Sequence, residues 1–148
     1  MNRVRGFTLI ELMIVVVIIG ILAAIAIPNF VSMQNRAKKG STKANMHTVQ
    51  LAAEDYSVQN DGSYSSTADQ VLALIPTYGG GLTNPFDHSS GVTNAWVDQS
   101  TWTIPLATGS TKPGVIAYGD SADAQMQYQV AGRGQNRDLP LILTSGRQ

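Results

Sequence analysis

The sequence predicts an α+β chain: a long N-terminal helix, half membrane segment and half amphipathic, packed on a small antiparallel β-sheet head. Three observations carry that expectation. Phe7 to Ile27 is a run of 21 residues whose only polar side chains are Thr8 and Glu11. Residues 31–60 place apolar side chains at three-, four- and seven-residue spacing, the period of a helix. The last third alternates short apolar stretches with turns rich in Gly, Asp and Pro. The 148 residues suit one domain. Only 14% are charged, against about 25% in an average globular protein, so the apolar residues do not all belong to a water-soluble core. With no cysteine, a disulfide framework, a thiolate zinc site, a Cys nucleophile and an iron–sulfur cluster are excluded. A net charge of zero argues against a general nucleic-acid binder. That zero is polarised. Residues 1–50 hold six Lys/Arg and one Glu, net +5, and residues 51–148 hold four Lys/Arg and nine Asp/Glu, net −5.

The first element is the apolar run. As a helix it spans roughly 30 Å, the thickness of a bilayer core. Arg3 and Arg5 precede it, and Arg36, Lys38, Lys39 and Lys43 follow it, so charge does not orient it. A secretory cleavage site needs small residues after the run. Pro28, Asn29 and Phe30 stand there instead, and Ala23-Ala24-Ile25-Ala26 lies inside the run. Glu11 is the unusual residue. A carboxylate within a spanning segment is costly and marks function, unless it lies near enough to the helix end to reach the headgroups.

Arg5 and Gly6, then Phe7-Thr8-Leu9-Ile10-Glu11, then an unbroken apolar helix with Pro28 near its end, resemble the type IV pilin signature, which the pseudopilins of type II secretion share. The resemblance covers roughly residues 1–60. It implies that a prepilin peptidase cuts after Gly6 and that the new amino terminus, Phe7, is N-methylated. Residues 1–6 are then a leader, 7–30 the transmembrane and filament-core half of the helix, 31–62 its amphipathic half, and 63–148 the globular head. In the family, the Glu corresponding to Glu11 neutralises the N-terminal ammonium of a neighbouring subunit. Pairing offsets the cost of a buried carboxylate and sets the register of one subunit against the next.

The helix is expected to continue to about Asn60. Pro28 lacks an N–H and its ring clashes with the preceding turn, so a kink or local melt is expected there, and Gly20 weakens the helix. Similar pilins lose helix between such a Gly and Pro in filaments, which only the resemblance implies. Ala37, Ala44, Leu51 and Val58 form one stripe; Met46, Val49, Ala53 and Tyr56 form another, nearly opposite. Two stripes predict a sandwiched helix, its own head on one side and other subunits' helices on the other. Asn60-Asp61-Gly62 is the stop.

In the head, Ala68–Ile75 is expected to be a short helix with Ser66 or Thr67 as N-cap and Pro76 as its stop. Strands are expected at Thr101–Leu106, Val115–Tyr118, Met126–Val130 and Leu139–Leu143, the first and last as edges because of Pro105 and Pro140. No catalytic constellation is found. Gly119-Asp120-Ser121 has only 27 residues after it and no later His. Asp87-His88-Ser89 are consecutive, whereas a triad converges in space. Gly132-Arg133-Gly134 lacks a third Gly, position 137 being Arg. Asp120, Asp123 and Asp138 carry oxygen ligands suited to calcium, but at no calcium-motif spacing, so they read as solvated turn acids. Arg133, Arg137 and Arg147 are too few for nucleic acid against a net acidic head.

The expected function is therefore structural, not enzymatic, and without cofactor or metal. The chain is expected to polymerise with copies of itself into a type IV pilus serving adhesion, motility, aggregation or DNA uptake. Prepilin peptidase and the inner-membrane assembly machinery are the other expected partners. The chain would wait in the bacterial inner membrane and end in an extracellular pilus. One alternative is the major pseudopilin of a periplasmic, piston-like pseudopilus. The tract Tyr56–Tyr64 and Asn84-Pro85-Phe86-Asp87 resemble that family, although its Trp-Gly after Asp-Pro is missing. The other alternative is a monomeric membrane-anchored domain.

Overall fold

The computed structural model describes residues 6–76, 81–99, 105–121 and 126–145. The chain divides between Arg36 and Ala37 into two compact units. Helix α1, Leu9–Gln59, is 51 residues long and continuous through Gly20 and Pro28. Its stretch before Ala37 is long and apolar enough to cross a membrane by length and composition. Every large apolar side chain there is exposed, from Phe7 at 84% to Val31 at 46%.

The second unit begins with the rest of α1. Met46, Val49, Ala52 and Ala53 are buried against the head, whose elements are α2 (Ala68–Ala73), β1 (Trp96–Asp98), β2 (Ile116–Asp120), β3 (Tyr128–Arg133) and β4 (Asp138–Thr144). Of the two predicted stripes, Met46, Val49 and Ala53 dock on the sheet, while Ala37, Ala44, Leu51 and Val58 are all exposed. Tyr56 lies at the rim. It is half-buried, and its hydroxyl donates to Gln70 Oε1 at 3.2 Å, so the core aromatics are Tyr64, Tyr118 and Tyr128 instead.

The helix stops where its end signals stand. Asp61 takes a left-handed φ of 52° and Gly62 one of 86°, and the Gly62 N–H reaches back to the Ser57 carbonyl at 2.9 Å. That bond occupies a carbonyl which the helix end would otherwise leave open. Thr67 is the N-cap of α2, but its side chain makes no cap bond. Ser65 orders the turn instead, its Oγ accepting from the Thr67 N–H and donating to the Thr67 carbonyl and Gln70. The helix α2 ends at Ala73, two residues short of the expected Ile75.

The sheet runs in the order β1-β2-β3-β4. β2, β3 and β4 are antiparallel neighbours as expected, but β1 pairs with β2 in parallel, so the sheet is mixed. A parallel neighbour needs a crossover, and between the two strands residues 105–108 lie as a strap on the sheet face opposite α1. There Leu106 packs on Ala117 and Ala131. The Leu106 N–H donates to Gln129 Oε1 (2.9 Å), and Thr108 donates twice to Asp138 (3.1 and 2.6 Å). Of the strand expected at Thr101–Leu106, residues 101–104 lie outside the described residues, and Pro105 and Leu106 are in this strap, not in a strand. Covered on both faces, β2 is buried at four of five positions. Gly132 sits at a register shift in β3, where a Cβ would lie 2.6 Å from Met46 Sδ. Only a glycine lets α1 approach the strand this closely.

Candidate assembly site

Thr8 starts α1. Its N–H donates to Glu11 Oε2 at 2.9 Å, its hydroxyl donates to the same oxygen at 2.7 Å, and the Glu11 N–H returns to Thr8 Oγ1 at 3.3 Å. This is a capping box, in which two helix-end N–H groups are satisfied reciprocally. The T-x-x-E spacing announces it in the sequence, and Thr8 is the residue that a reading centred on Glu11 leaves out. Glu11 therefore has a local task besides any intermolecular one. Both Thr8 bonds end on Oε2, and Oε1 makes no hydrogen bond among the described residues. Gly6 and Gly20 are exposed, and a Cβ on either would meet nothing within 4 Å. Phe7 is exposed, and Pro28 lies inside the helix. Gly6, Phe7 and Glu11 stand within six residues of each other, whereas Gly20 and Pro28 lie further along the helix.

In the second unit, the buried side of α1 is anchored by polar clasps. Glu54 accepts from Tyr128 at Oε1 (2.7 Å) and from Tyr64 at Oε2 (3.1 Å). Tyr128 stacks on Tyr118 with ring centres 5.9 Å apart, and Tyr64 meets Tyr128 edge-on at 4.7 Å. Burial pushes the phenols of Tyr118 and Tyr128 far above their usual range, and the Glu54 carboxylate adds to the shift at Tyr128. Asn45 donates to the Thr83 carbonyl at 2.8 Å. Lys38 donates to the Phe86 carbonyl at 3.4 Å and lies over that ring. Asn84 is wholly buried and ties together Asn94, Pro113 and Phe86.

The remaining polar candidates do not converge. Asp87 is bound by Lys112 at 2.8 Å and by Ser89, and these hydrogen bonds hold its carboxyl well below the usual range. It forms a turn, not a nucleophile pair. His47 is exposed, 3.2 Å from Gln50 Oε1. Asp120 pairs with Tyr128 at one end of β3, and Asp138 with Arg133 at the other. Five residues of strand separate them by roughly 17 Å, too far to share one ion, and Asp123 lies outside the described residues. Arg133 is engaged by Asp138 at 3.1 Å, Arg137 is exposed, and Arg147 lies outside the described residues. No group of three metal-ligating acids or histidines occurs among the described residues.

Residues 1–27 match the family described as the prokaryotic N-terminal methylation motif. The chain is 52% identical over 69 residues to the type IV major pilin protein PilA of Myxococcus xanthus, covering 47% of this chain and 31% of that one. Over 71 residues it is 48% identical to the type IV narrow pilus major component PilA5 of Thermus thermophilus, covering 48% of this chain and 60% of the relative. Identity to the type II secretion system core protein G of Pectobacterium carotovorum is 34% over 73 residues, covering 49% and 46%. The chain thus spans less than two thirds of the length of each of these curated relatives. No solved structure matches it. Over its N-terminal half the chain is thus similar to type IV major pilins and to type II secretion core proteins G, and the likeness is densest where residues 1–27 carry the methylation motif at the start of the apolar helix.

Proposed function

We propose that the chain is the structural subunit of a type IV pilus, polymerising with copies of itself. The observation that carries this reading is the α1 surface. Its first 28 residues bury no large side chain, and beyond them the Ala37–Val58 stripe stays bare while the opposite stripe is docked. Apolar area left in water costs roughly 25 cal/mol per Å². A membrane removes that cost for the first part while the subunit is stored, and other subunits' helices remove it in a fibre.

In this reading residues 1–6 are a leader cut after Gly6 by prepilin peptidase, and Phe7 becomes the N-methylated amino terminus. Residues 7–30 form the membrane and core half, 31–62 the amphipathic half and 63–148 the head. Glu11 Oε1, left open by the capping box, accepts the Phe7 ammonium of an adjacent subunit. Gly20 and Pro28 are where the helix loosens on packing. The subunit waits in the bacterial inner membrane, is extracted by the assembly machinery and leaves as a surface fibre. Its role is structural, not catalytic. Adhesion, motility, aggregation and DNA uptake are the functions such a fibre serves.

Electron microscopy and mass spectrometry of sheared surface fibres test the reading. The expected result is long filaments of a 142-residue chain, the 148 residues less six, beginning at N-methyl-Phe7. The likeness to the secretion core protein favours a second reading, a periplasmic pseudopilus. Filaments seen only on overexpression select it. A chain retaining Met1, or no filament under either condition, leaves a membrane-anchored monomer.

A further inference from the structure

The second unit sorts its charges along α1. Strand β3 runs against the helix: a Cβ on Gly132 would touch Met46 Sδ, and the Tyr128 hydroxyl reaches Glu54, further along α1. The turn between β3 and β4 therefore lies beside the start of this part of α1. The Gly134 N–H donates to the Arg137 carbonyl at 2.8 Å, and a Cβ on Gly134 would stand 3.5 Å from Lys39 Cε. This contact brings Arg137 to Lys39, and Lys43 follows one turn along the same side of the helix. All three are exposed, and their side chains make no hydrogen bond or ion pair among the described residues. Lys38 is bound only to the neutral Phe86 carbonyl and ring, so its charge is uncancelled too. The acids nearby are engaged, Asp138 by Arg133 and Thr108, and Asp87 by Lys112. The other acids gather at the opposite end. Glu54 bonds Tyr128, and Asp120 pairs with Tyr128 in the sheet. Strand β1 ends on that side at Asp98, and Asp55 and Asp61 stand at the close of α1.

We infer that this basic end of the head docks on the phosphates of anionic lipid headgroups while the chain is held in a membrane. The inference rests on the reading of residues 7–30 as a membrane segment and adds a second contact to it. Two observations choose lipid as the occupant. The first is charge. Lys38, Lys39, Lys43 and Arg137 are uncancelled at one end, and the acids that an anionic surface would repel lie at the other. Cations that follow closely on an apolar span are the pattern that anionic leaflets attract. The second is covalent reach. The exposed apolar residues run on to Met33, and the six residues from there to Lys39 span at most about 20 Å however they are folded. Lys39 and Lys43 act as point charges on long stems, and Arg137 can take a phosphate in two-pronged fashion. Each such cation near an anionic surface strengthens the contact roughly fivefold. A subunit that leaves the membrane for a fibre must break this contact, so anionic lipid retains the stored pool.

The test uses the full chain in vesicles of phosphatidylcholine alone, or with phosphatidylglycerol as a third of the lipid. The chain has no cysteine, so Gln135→Cys, exposed in the β3–β4 turn, takes a single dye, and energy transfer to a headgroup dye reports its approach. Transfer is expected to rise with phosphatidylglycerol and to fall back in about 0.5 M salt, where charges are screened within a few ångströms. A dye on Ser66→Cys, exposed before α2 at the acidic end, is expected to show no rise. Lys39→Gln, Lys43→Gln and Arg137→Gln together are expected to abolish the rise at position 135 while the chain still floats with the vesicles. Equal transfer in the two lipids, or a rise that survives the triple change, overturns the inference. So does a rise abolished by inorganic phosphate but not by chloride at the same ionic strength, which assigns the cations to a soluble phosphate. A rise that appears only at high subunit density assigns them to a neighbouring copy and overturns it as well. A chain that does not float with either vesicle removes the membrane reading itself.

Discussion

The two units use apolar residues in opposite ways. Before Ala37, the large apolar side chains of α1 are exposed to the last one, and among the described residues the side-chain hydrogen bonds there join only Thr8 and Glu11 at its start. After it, Met46, Val49, Tyr118, Tyr128 and Val130 are each at most 2% exposed, and Glu54, Asn84 and Asp138 are fully engaged by neighbours in the same chain. The second unit satisfies its own groups. The first leaves its surface for another medium to complete. A substitution in the first should therefore register in assembly and hardly in folding, and one in the core of the second should do the reverse.

The largest expected effect tests the first half of that contrast. Glu11→Gln keeps an amide oxygen able to accept the Thr8 bonds, so the helix start survives, but it removes the charge that the proposed pairing with the Phe7 ammonium requires. Breaking a buried ion pair typically costs about 3–5 kcal/mol, here at every added subunit. The variant should be processed and held in the membrane, yet yield no sheared fibres by immunoblot. Co-expression with wild type should restore mixed fibres. Normal yield from Glu11→Gln alone would break the comparison.

Next comes the interior of the second unit. A methyl group on Gly132 would collide with Met46 Sδ at 2.6 Å and crowd Leu139 at 3.3 Å. Gly132→Ala should cost about 1–3 kcal/mol, read as a fall of several degrees in the melting temperature of a chain beginning at Ala37. Adding Met46→Ala should cost less than the two single effects together, because the collision is then gone.

Alkali should act on the second unit alone. Tyr118 and Tyr128 have phenol pKa values raised by burial, above the value of about 10 expected in an unfolded chain. The sign follows from the neutral form being favoured in the fold. This contribution is fully present below about pH 10 and is lost as the pH rises beyond it. Melting temperature should fall steeply from there upward, and less steeply in Tyr128→Phe, which no longer titrates at that position. A flat profile would mean that water reaches these rings.

The smallest effect on folding should come from Leu51→Ser. Leu51 is 71% exposed, and such substitutions usually change stability by less than about 0.5 kcal/mol. An unchanged melting curve together with reduced fibre yield would place assembly chemistry on the second unit too, sharpening the contrast to one between faces of α1.

Sequence spacing shows most of the fold where the determinants are local. The α1 pattern and its Asn60-Asp61-Gly62 stop lie within a few turns of each other, β2 and β4 follow from short apolar stretches, and β3 follows from alternation. What spacing does not show is joined over distance. Glu54 and Tyr128 are 74 positions apart, and Thr108 and Asp138 are 30 apart. Trp96–Asp98 pairs with a strand twenty positions on, and three residues are too few for a period to declare itself. At the helix start, Thr8 shows the opposite case. Its T-x-x-E signal is entirely local, but the charge of Glu11 draws the eye to a distant partner before a near one.

The strap over the outer sheet face has a consequence for sequence change. Beneath it lie Ala117, Ala131 and Gly119, where a Cβ would come within 2.9 Å of Leu106; these positions have no room to grow. Within the strap, exposure alternates, with Leu106 and Thr108 buried and Ala107 and Thr111 exposed. Mutations at those outward positions disturb neither the strap's anchors nor the layer below. The head can thus acquire a new exterior, in charge, bulk or stickiness, while its architecture is inherited unchanged.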